Sequence, residues 1–281
     1  MAPKSKCARG YLLVRNGSSS RVPPVNEEEQ VPLAPSIQVP PSFKTEAARK
    51  RFQVLCKRQL CPERGFAKIP ITDMGDLGDA LNESIEQRGW KNFMLQPRSK
   101  ARRTLVHEFY AALPDESVDG FVTVRHIRFE INAQVINEYY GTPNLTDEEI
   151  EHNQLGDQEL NQEFYDNMAA TIATPGAQWH NRAGEMRLNK NQLNRRAKVW
   201  MYFFAANLFP HLHFTELQFN FLKLIYAAVR GLNIDIGRFI FFYMTHMAYD
   251  ASKNALGFPF LITDLCKKAG VSIYIFICLQ L

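Results

Sequence analysis

Between residues 191 and 270 the chain is a succession of apolar stretches of helical length cut by proline and glycine, and this pattern restricts the fold more than any other feature. The stretches are "NQLNRRAKVWMYFFAANLF", "TELQFNFLKLIYAAVRG", "DIGRFIFFYMTHMAYD" and "FPFLITDLCKKAG". Their boundaries carry Pro210, Thr215, Gly231, Gly257, Pro259 and Gly270, residue types that start or stop helices. Such segments joined by short links predict antiparallel neighbouring helices packed as a bundle. The run "VWMYFFAANLFPHLHF" is interrupted by Asn207, Pro210 and two histidines. It stays below the roughly 18 apolar residues of a spanning helix, so it reads as core, and no transmembrane segment is expected.

Toward the N-terminus the periodicity is again mostly helical. In "EAARKRFQVLCKRQLC" Phe52, Leu55 and Cys56 fall on one side and Lys57 and Arg58 on the other, and Pro62 is expected to end the helix. "DLGDALNESIEQRGW" places Leu77, Leu81 and Ile85 at intervals of four before a Gly89 stop. Asp73, Asp76, Asp79, Glu83 and Glu86 read as a solvated face, because a calcium loop needs alternate-residue spacing and a central glycine. "RRTLVHEFYAAL" predicts a helix closed by Pro114, on which the adjacent His107 and Glu108 point in different directions. "VDGFVTVRHIRFEI" changes period and predicts a small β-ribbon near residues 118–130. "INAQVINEYYGTPN" returns to helix and stops at Gly141-Thr142-Pro143, and Thr146 with Glu149 has the spacing of a capping box. The expected fold is mainly α, a bundle-like domain with that one ribbon.

Of 281 residues, 46% are hydrophobic and 12% aromatic, enough to build a sizeable core. Seven of the fifteen prolines fall in residues 1–41, and residues 1–43 read as a disordered, Pro/Ser-rich basic tail. Lys4, Lys6, Arg9, Arg15 and Arg21 with no acid before Glu27 also give it the composition of an organelle transit peptide, though a plain basic tail is the commoner source of such composition. Five scattered cysteines form no disulfide framework and fit a reducing compartment, nuclear or cytoplasmic. The expected domain is residues 44–271. Residues 272–281, "SIYIFICLQL", hold no charge and depart from the polar continuation expected after it. That run reads as a truncated, non-native end in preference to a buried terminal strand or a membrane-surface anchor. Such an uncharged β-favouring run is an aggregation hazard when exposed.

The net charge of +4 is unevenly spread. Residues 1–110 hold 19 Lys/Arg against 11 Asp/Glu, residues 111–180 hold 2 against 13, and residues 181–281 hold 12 against 5. Blocks of this kind either pair within the fold or present basic faces to a polyanion. Arg187, Lys190, Arg195, Arg196 and Lys198 are the candidate phosphate contacts, weighed against a plain solvated helix face. Trp200, among Val199, Met201, Phe203 and Phe204, reads as core rather than as a base-stacking residue. A zinc reading of "NLFPHLHFTE" needs His211, His213 and a third ligand, for which His246 is the available residue. The stretch fits a structural link better, with Thr215 as a helix N-cap and Glu216 in the first turn. No motif calls for a cofactor.

Taken in order, "RFQVLCKRQLCPERGF", "RGWKNF", "VHEFYAAL", "INEYYGTPN", "RAKVWMYFFAANLFPHLHF", "LIYAAVRGLNIDIGRFI" and "GFPFLITDLCKKAGV" resemble the plant transposon-derived domain labelled "putative plant transposon protein". The resemblance runs from about Arg51 to Val271, and its closing string is the most specific part. It implies a mobile-element origin, includes the Pro-containing link after "NL", and brings no catalytic residues. The expected function is that of a non-enzymatic transposon- or retrotransposon-derived protein that binds DNA or RNA weakly and without sequence preference, or self-associates. A metal-dependent nuclease-like transposase is the enzymatic alternative, but the acids sit mainly on helical or loop segments rather than on strands of a mixed sheet. A degenerate remnant without present function is the third.

Overall fold

The computed structural model describes residues 43–66, 76–95, 100–149, 162–182, 184–208, 215–249 and 255–272. The fold is mainly α. In chain order the elements are α1 (Glu46–Leu55), α2 (Asp76–Gln87), α3 (Lys91–Met94), α4 (Arg103–Glu116), the hairpin β1 (Phe121–Val124) and β2 (Ile127–Glu130), α5 (Ala133–Tyr140), α6 (Gln162–Ile172), β3 (His180–Arg182), β4 (Glu185–Asn189), α7 (Arg195–Asn207), β5 (Glu216–Gln218), α8 (Phe219–Arg230), α9 (Ile236–Tyr249) and α10 (Pro259–Lys268). Among the described residues no helix is long and apolar enough to cross a membrane. All but Phe43 of the expected tail 1–43, and all but Ser272 of the apolar run 272–281, lie outside the described residues.

Helix α4 is the axis of the fold. Every residue from Leu105 to Leu113 is buried, and α1, α9, α10 and β1 pack around it. Pro114 does not close this helix, which continues to Glu116. A proline there removes one ladder bond and crowds the carbonyl four residues earlier, which can kink a helix without ending it. The residues beyond it are also held, since Asp115 pairs with Arg51 and accepts from Thr45, and Glu116 pairs with Lys44 at 3.0 Å.

A second centre is aromatic. Trp200, Phe203 and Phe204 stand at i, i+3 and i+4 on α7 and so share one face. Trp90 lies nearly parallel to Phe203 at 6.2 Å and meets Trp200 edge-on at the same distance. Trp200 is therefore core, as its sequence neighbours suggest. On α2, Leu81 and Ile85 are buried while Asp76, Asp79, Glu83 and Glu86 face solvent.

Helices α5 and α9 approach most closely at Gly237, where an added Cβ would lie 2.1 Å from the Ala133 carbonyl oxygen. Asn137, buried between them, accepts from the Gly237 N–H (2.7 Å) and the Thr142 hydroxyl (2.6 Å), and donates to Asp235 (2.8 Å). Asp235 in turn caps α9 by accepting from the Arg238 N–H. Gly141 ends α5 in the left-handed conformation that a C-terminal glycine supplies. Thr146 donates its N–H to Glu149, the reciprocal half of the expected capping box, and the continuation of that segment over 150–161 lies outside the described residues.

The β1–β2 hairpin falls where the change of period predicts it, with Val124 paired to Ile127 across a two-residue turn. Both turn residues, Arg125 and His126, have positive φ, as tight hairpin turns of this hand require. Arg125 bonds the buried Glu108 carboxylate at 3.1–3.2 Å and the Ser272 carbonyl at 2.8 Å.

Three further expectations are corrected. The first helix stops at Leu55 rather than at Pro62, because Gln59 to Cys61 leave it to bond Leu256 across a parallel bridge at Leu60. A second antiparallel sheet, ordered β3–β4–β5, adds to the one ribbon expected, and its strand β5 stands where helix was expected. Thr215 is accordingly no helix cap and Glu216 is no first-turn residue: Thr215 accepts from the Lys190 N–H, and Glu216 sits opposite Asn189 in a strand. Helix α8 starts only at Phe219.

Candidate nucleic-acid interface

The three-stranded sheet has an apolar and a polar face. Leu188 and Leu217, paired in register, are fully buried, while the alternate positions Glu185, Arg187, Glu216 and Gln218 share the other face with His180 and Arg182. Glu216 is the hub of that face. Arg182 bonds its carboxylate at 3.1 Å, His180 lies 3.5 Å away and Arg187 4.0 Å. The Arg182 hydrogen bond, chiefly, holds the Glu216 carboxyl below its usual range. Arg187 is also bonded to Glu185 at 2.9 Å and is largely buried. Of the five candidate cations, Arg187 is therefore engaged inside the sheet.

The other four continue along the chain from this sheet. Lys190 sits in the single turn Lys190–Gln192 that follows β4, and Arg195, Arg196 and Lys198 occupy the first turn of α7. Arg195 and Arg196 are exposed and Lys198 is half-buried. Among the described residues Lys190, Arg196 and Lys198 enter no ion pair. Cations elsewhere do pair with the acidic middle of the chain, as in Lys44–Glu116, Arg51–Asp115 and Arg238–Asp147. The start of α7 is fixed by Asn194, whose side chain accepts from the Ala197 N–H (2.9 Å) and donates to the Thr171 carbonyl (2.8 Å), while its backbone N–H bonds Ile172 (2.9 Å).

Beside this turn lies an open groove of about 440 Å³ lined by Gln178, Trp179, His180, Asn189, Asn191 and Gln192. Trp179 donates its indole N–H to the Tyr165 carbonyl at 3.0 Å. Its ring meets Tyr165 at 5.2 Å and 63°, and Phe219 at 6.4 Å and 60°. The sequence reading weighed only Trp200 as a stacking residue. The signal for the groove in the sequence is "QWHN" at 178–181 followed by "NKNQ" at 189–192, a tryptophan and several amides with one acid, Glu185, between them.

The metal reading gains nothing here. His211 and His213 lie outside the described residues. His246 is exposed, and its ring lies parallel to Phe242 at 6.3 Å. Among the described residues no group of three or more His, Cys, Asp or Glu is placed to hold a metal ion.

The buried titratable groups serve the fold. Glu63 accepts from the N–H groups of Phe260 (3.2 Å) and Leu261 (3.0 Å), capping α10 from nearly 200 residues away. Burial pushes its carboxyl up to about 7, against the pull of those donors. Burial likewise raises Glu108 against its Arg125 partner. It lowers His107, whose ring nitrogen is 3.4 Å from the Arg58 carbonyl oxygen. Adjacent on α4, His107 and Glu108 turn to different partners, as their spacing requires.

No curated protein and no solved structure matches the chain. A family model does match, over residues 86–272, from the end of α2 through the Ser272 carbonyl that Arg125 holds. The match spans more than half of the sequence and includes the groove and the basic turn, so the chain belongs to the family described as "Putative plant retrotransposon-related domain".

Proposed function

We propose that this retrotransposon-related domain is a non-enzymatic module that binds nucleic acid through its phosphates, weakly and without reading sequence. The observation that supports this is the placement of Arg195 and Arg196, exposed on the first turn of α7 with Lys198 close behind. A helix N-terminus is already positive, so each cation there is disfavoured by about 0.3–1 kcal/mol. An anion relieves that penalty and gains the dipole as well. Lys and Arg contacts of this kind neutralise phosphates without distinguishing bases. The nuclease-like alternative draws no support from the described residues, where no group of three or more His, Cys, Asp or Glu is placed to hold a metal ion.

The test is fluorescence anisotropy of a labelled duplex titrated with the full chain at several salt concentrations. Binding should weaken steeply with salt. Arg195→Ala/Arg196→Ala should flatten the slope of log K against log salt by about two units, near 0.9 for each lost phosphate contact. An unchanged slope in the double variant would overturn the proposal.

A further inference from the structure

We infer that the Trp179 groove takes an unpaired base of a single-stranded nucleic acid whose phosphates lie on the basic turn. The inference rests on the phosphate reading above for the backbone, and on the groove alone for the base. Its volume, about 440 Å³, is that of a small-ligand site. Its lining is one aromatic ring, one imidazole and four side-chain amides; the Glu216 carboxylate approaches it at His180 (3.5 Å) and is paired with Arg182 (3.1 Å). Amides offer donors and acceptors together, which is what the edge of a base requires.

Two of the amides are already oriented. The Asn189 carbonyl oxygen accepts from the Asn191 N–H at 2.9 Å, and the Gln192 oxygen accepts from the Asn189 N–H at 3.3 Å. These bonds use the oxygens. Among the described residues the two NH2 groups enter no hydrogen bond, so they remain donors for a ligand.

Trp179 is likewise fixed, by its bond to Tyr165 and by two neighbours that meet its ring at steep angles rather than covering it in parallel. A pre-positioned ring loses little conformational freedom when a base stacks on it. Gln192 in the groove wall is three residues before Arg195, at most about 11 Å along the chain. Base and neighbouring phosphates are thus in reach of one strand segment, within the roughly 4–16 nucleotides that a single-strand-binding unit covers. A duplex keeps its bases stacked inside and offers the groove nothing.

Intrinsic fluorescence reads the site directly, because Trp90 and Trp200 are buried (1% and 3% exposed) and Trp179 is half-exposed. The full chain is titrated with oligothymidylate, a duplex of equal length, inorganic polyphosphate and a neutral oligosaccharide, with calorimetry recording binding that leaves fluorescence unchanged. Oligothymidylate should quench, and polyphosphate should bind without quenching. Trp179→Leu should weaken single-strand binding roughly five- to a hundredfold and leave duplex and polyphosphate binding alone. Trp179→Phe should retain most of the affinity. Asn191→Ala, at an exposed side chain whose backbone N–H alone holds the turn, should weaken single-strand binding without altering the melting temperature. Should Trp179→Leu not fold, the Phe and Asn191 variants decide.

Polyphosphate binding with no effect of oligothymidylate on fluorescence would overturn the base site and leave the phosphate reading intact. Quenching without polyphosphate binding would keep the base site and sink the phosphate reading. Quenching by the neutral oligosaccharide alone would overturn the base site, and binding of none of the four would overturn both.

Discussion

Replacing Gly237 with alanine sets helix propensity against packing, and the two predict opposite signs. In an exposed helix the change gains about 1 kcal/mol. Here the new Cβ would sit 2.1 Å from the Ala133 carbonyl oxygen and 2.7 Å from the Asn137 side chain, backbone on one side and a buried amide on the other. Neither can swing away, so α5 and α9 must separate. Overpacking of this kind costs about 1–3 kcal/mol. Separation also stretches the 2.7 Å bond from the Gly237 N–H to Asn137 and the 2.8 Å bond from Asn137 to Asp235. Each weakened buried bond adds about 1 kcal/mol. The expected net loss is about 2–4 kcal/mol. For a domain of this size that is a fall of roughly 5–15 °C in melting temperature. Thermal unfolding followed by circular dichroism measures it, and a variant melting at or above the parent would refute the close-approach argument.

Other perturbations have equally definite signs. Glu108→Ala strands Arg125 and should cost about 3 kcal/mol in urea denaturation, the low end for one half of a buried pair because Arg125 is partly exposed. Glu63 has a folded pKa raised to about 7 from an ordinary value near 4.5. The folded state therefore holds the proton more tightly, and the stability this contributes is complete below about 4.5 and lost as pH rises through about 7. Glu63→Gln should flatten that part of the pH–stability profile, and an unchanged profile would show that burial does not control the group. Zinc titration by calorimetry should give no stoichiometric binding. Binding that disappears in His213→Ala would establish the His211, His213 and His246 site instead.

What could be read in the sequence was what repeats locally. The apolar periods of α7 to α10, the Gly141 stop and the β1–β2 hairpin are set by neighbours three, four or two residues apart, and those intervals are visible in the letters. The second sheet was invisible for the converse reason. β3 and β5 have three residues each, too short to show alternation, and β5 runs directly into α8, so "TELQFNF" scans as one helix. The same gap hid part of the setting of Arg187: its bond to Glu185 lies within one strand, but Glu216, 4.0 Å away, is 29 positions along in another. Pro114 does not end its helix because the residues after it are held by distant partners, Arg51 and Lys44, which local sequence does not show. In the candidate interface the basic turn was legible as a charge cluster. The groove was not, because it joins two segments whose closeness only the β3–β4 pairing creates.

The cap on α10 has a consequence for how such a chain is made. Glu63 finds its partners at Phe260 and Leu261, Arg58 finds one at Met247, and Leu60 bridges to Leu256. On a ribosome adding roughly 5–20 residues per second, residues 58–63 wait on the order of 10–40 s for the chain that will satisfy them. During that interval α4 has α1 and β1 beside it but lacks the cover that α9 and α10 give its remaining apolar sides. Until the α10 sequence clears the exit tunnel, the nascent chain exposes apolar surface of the kind that holdase chaperones bind. A shortened version spanning only 86–272 would emerge without Glu63, and its last helix would have to start uncapped.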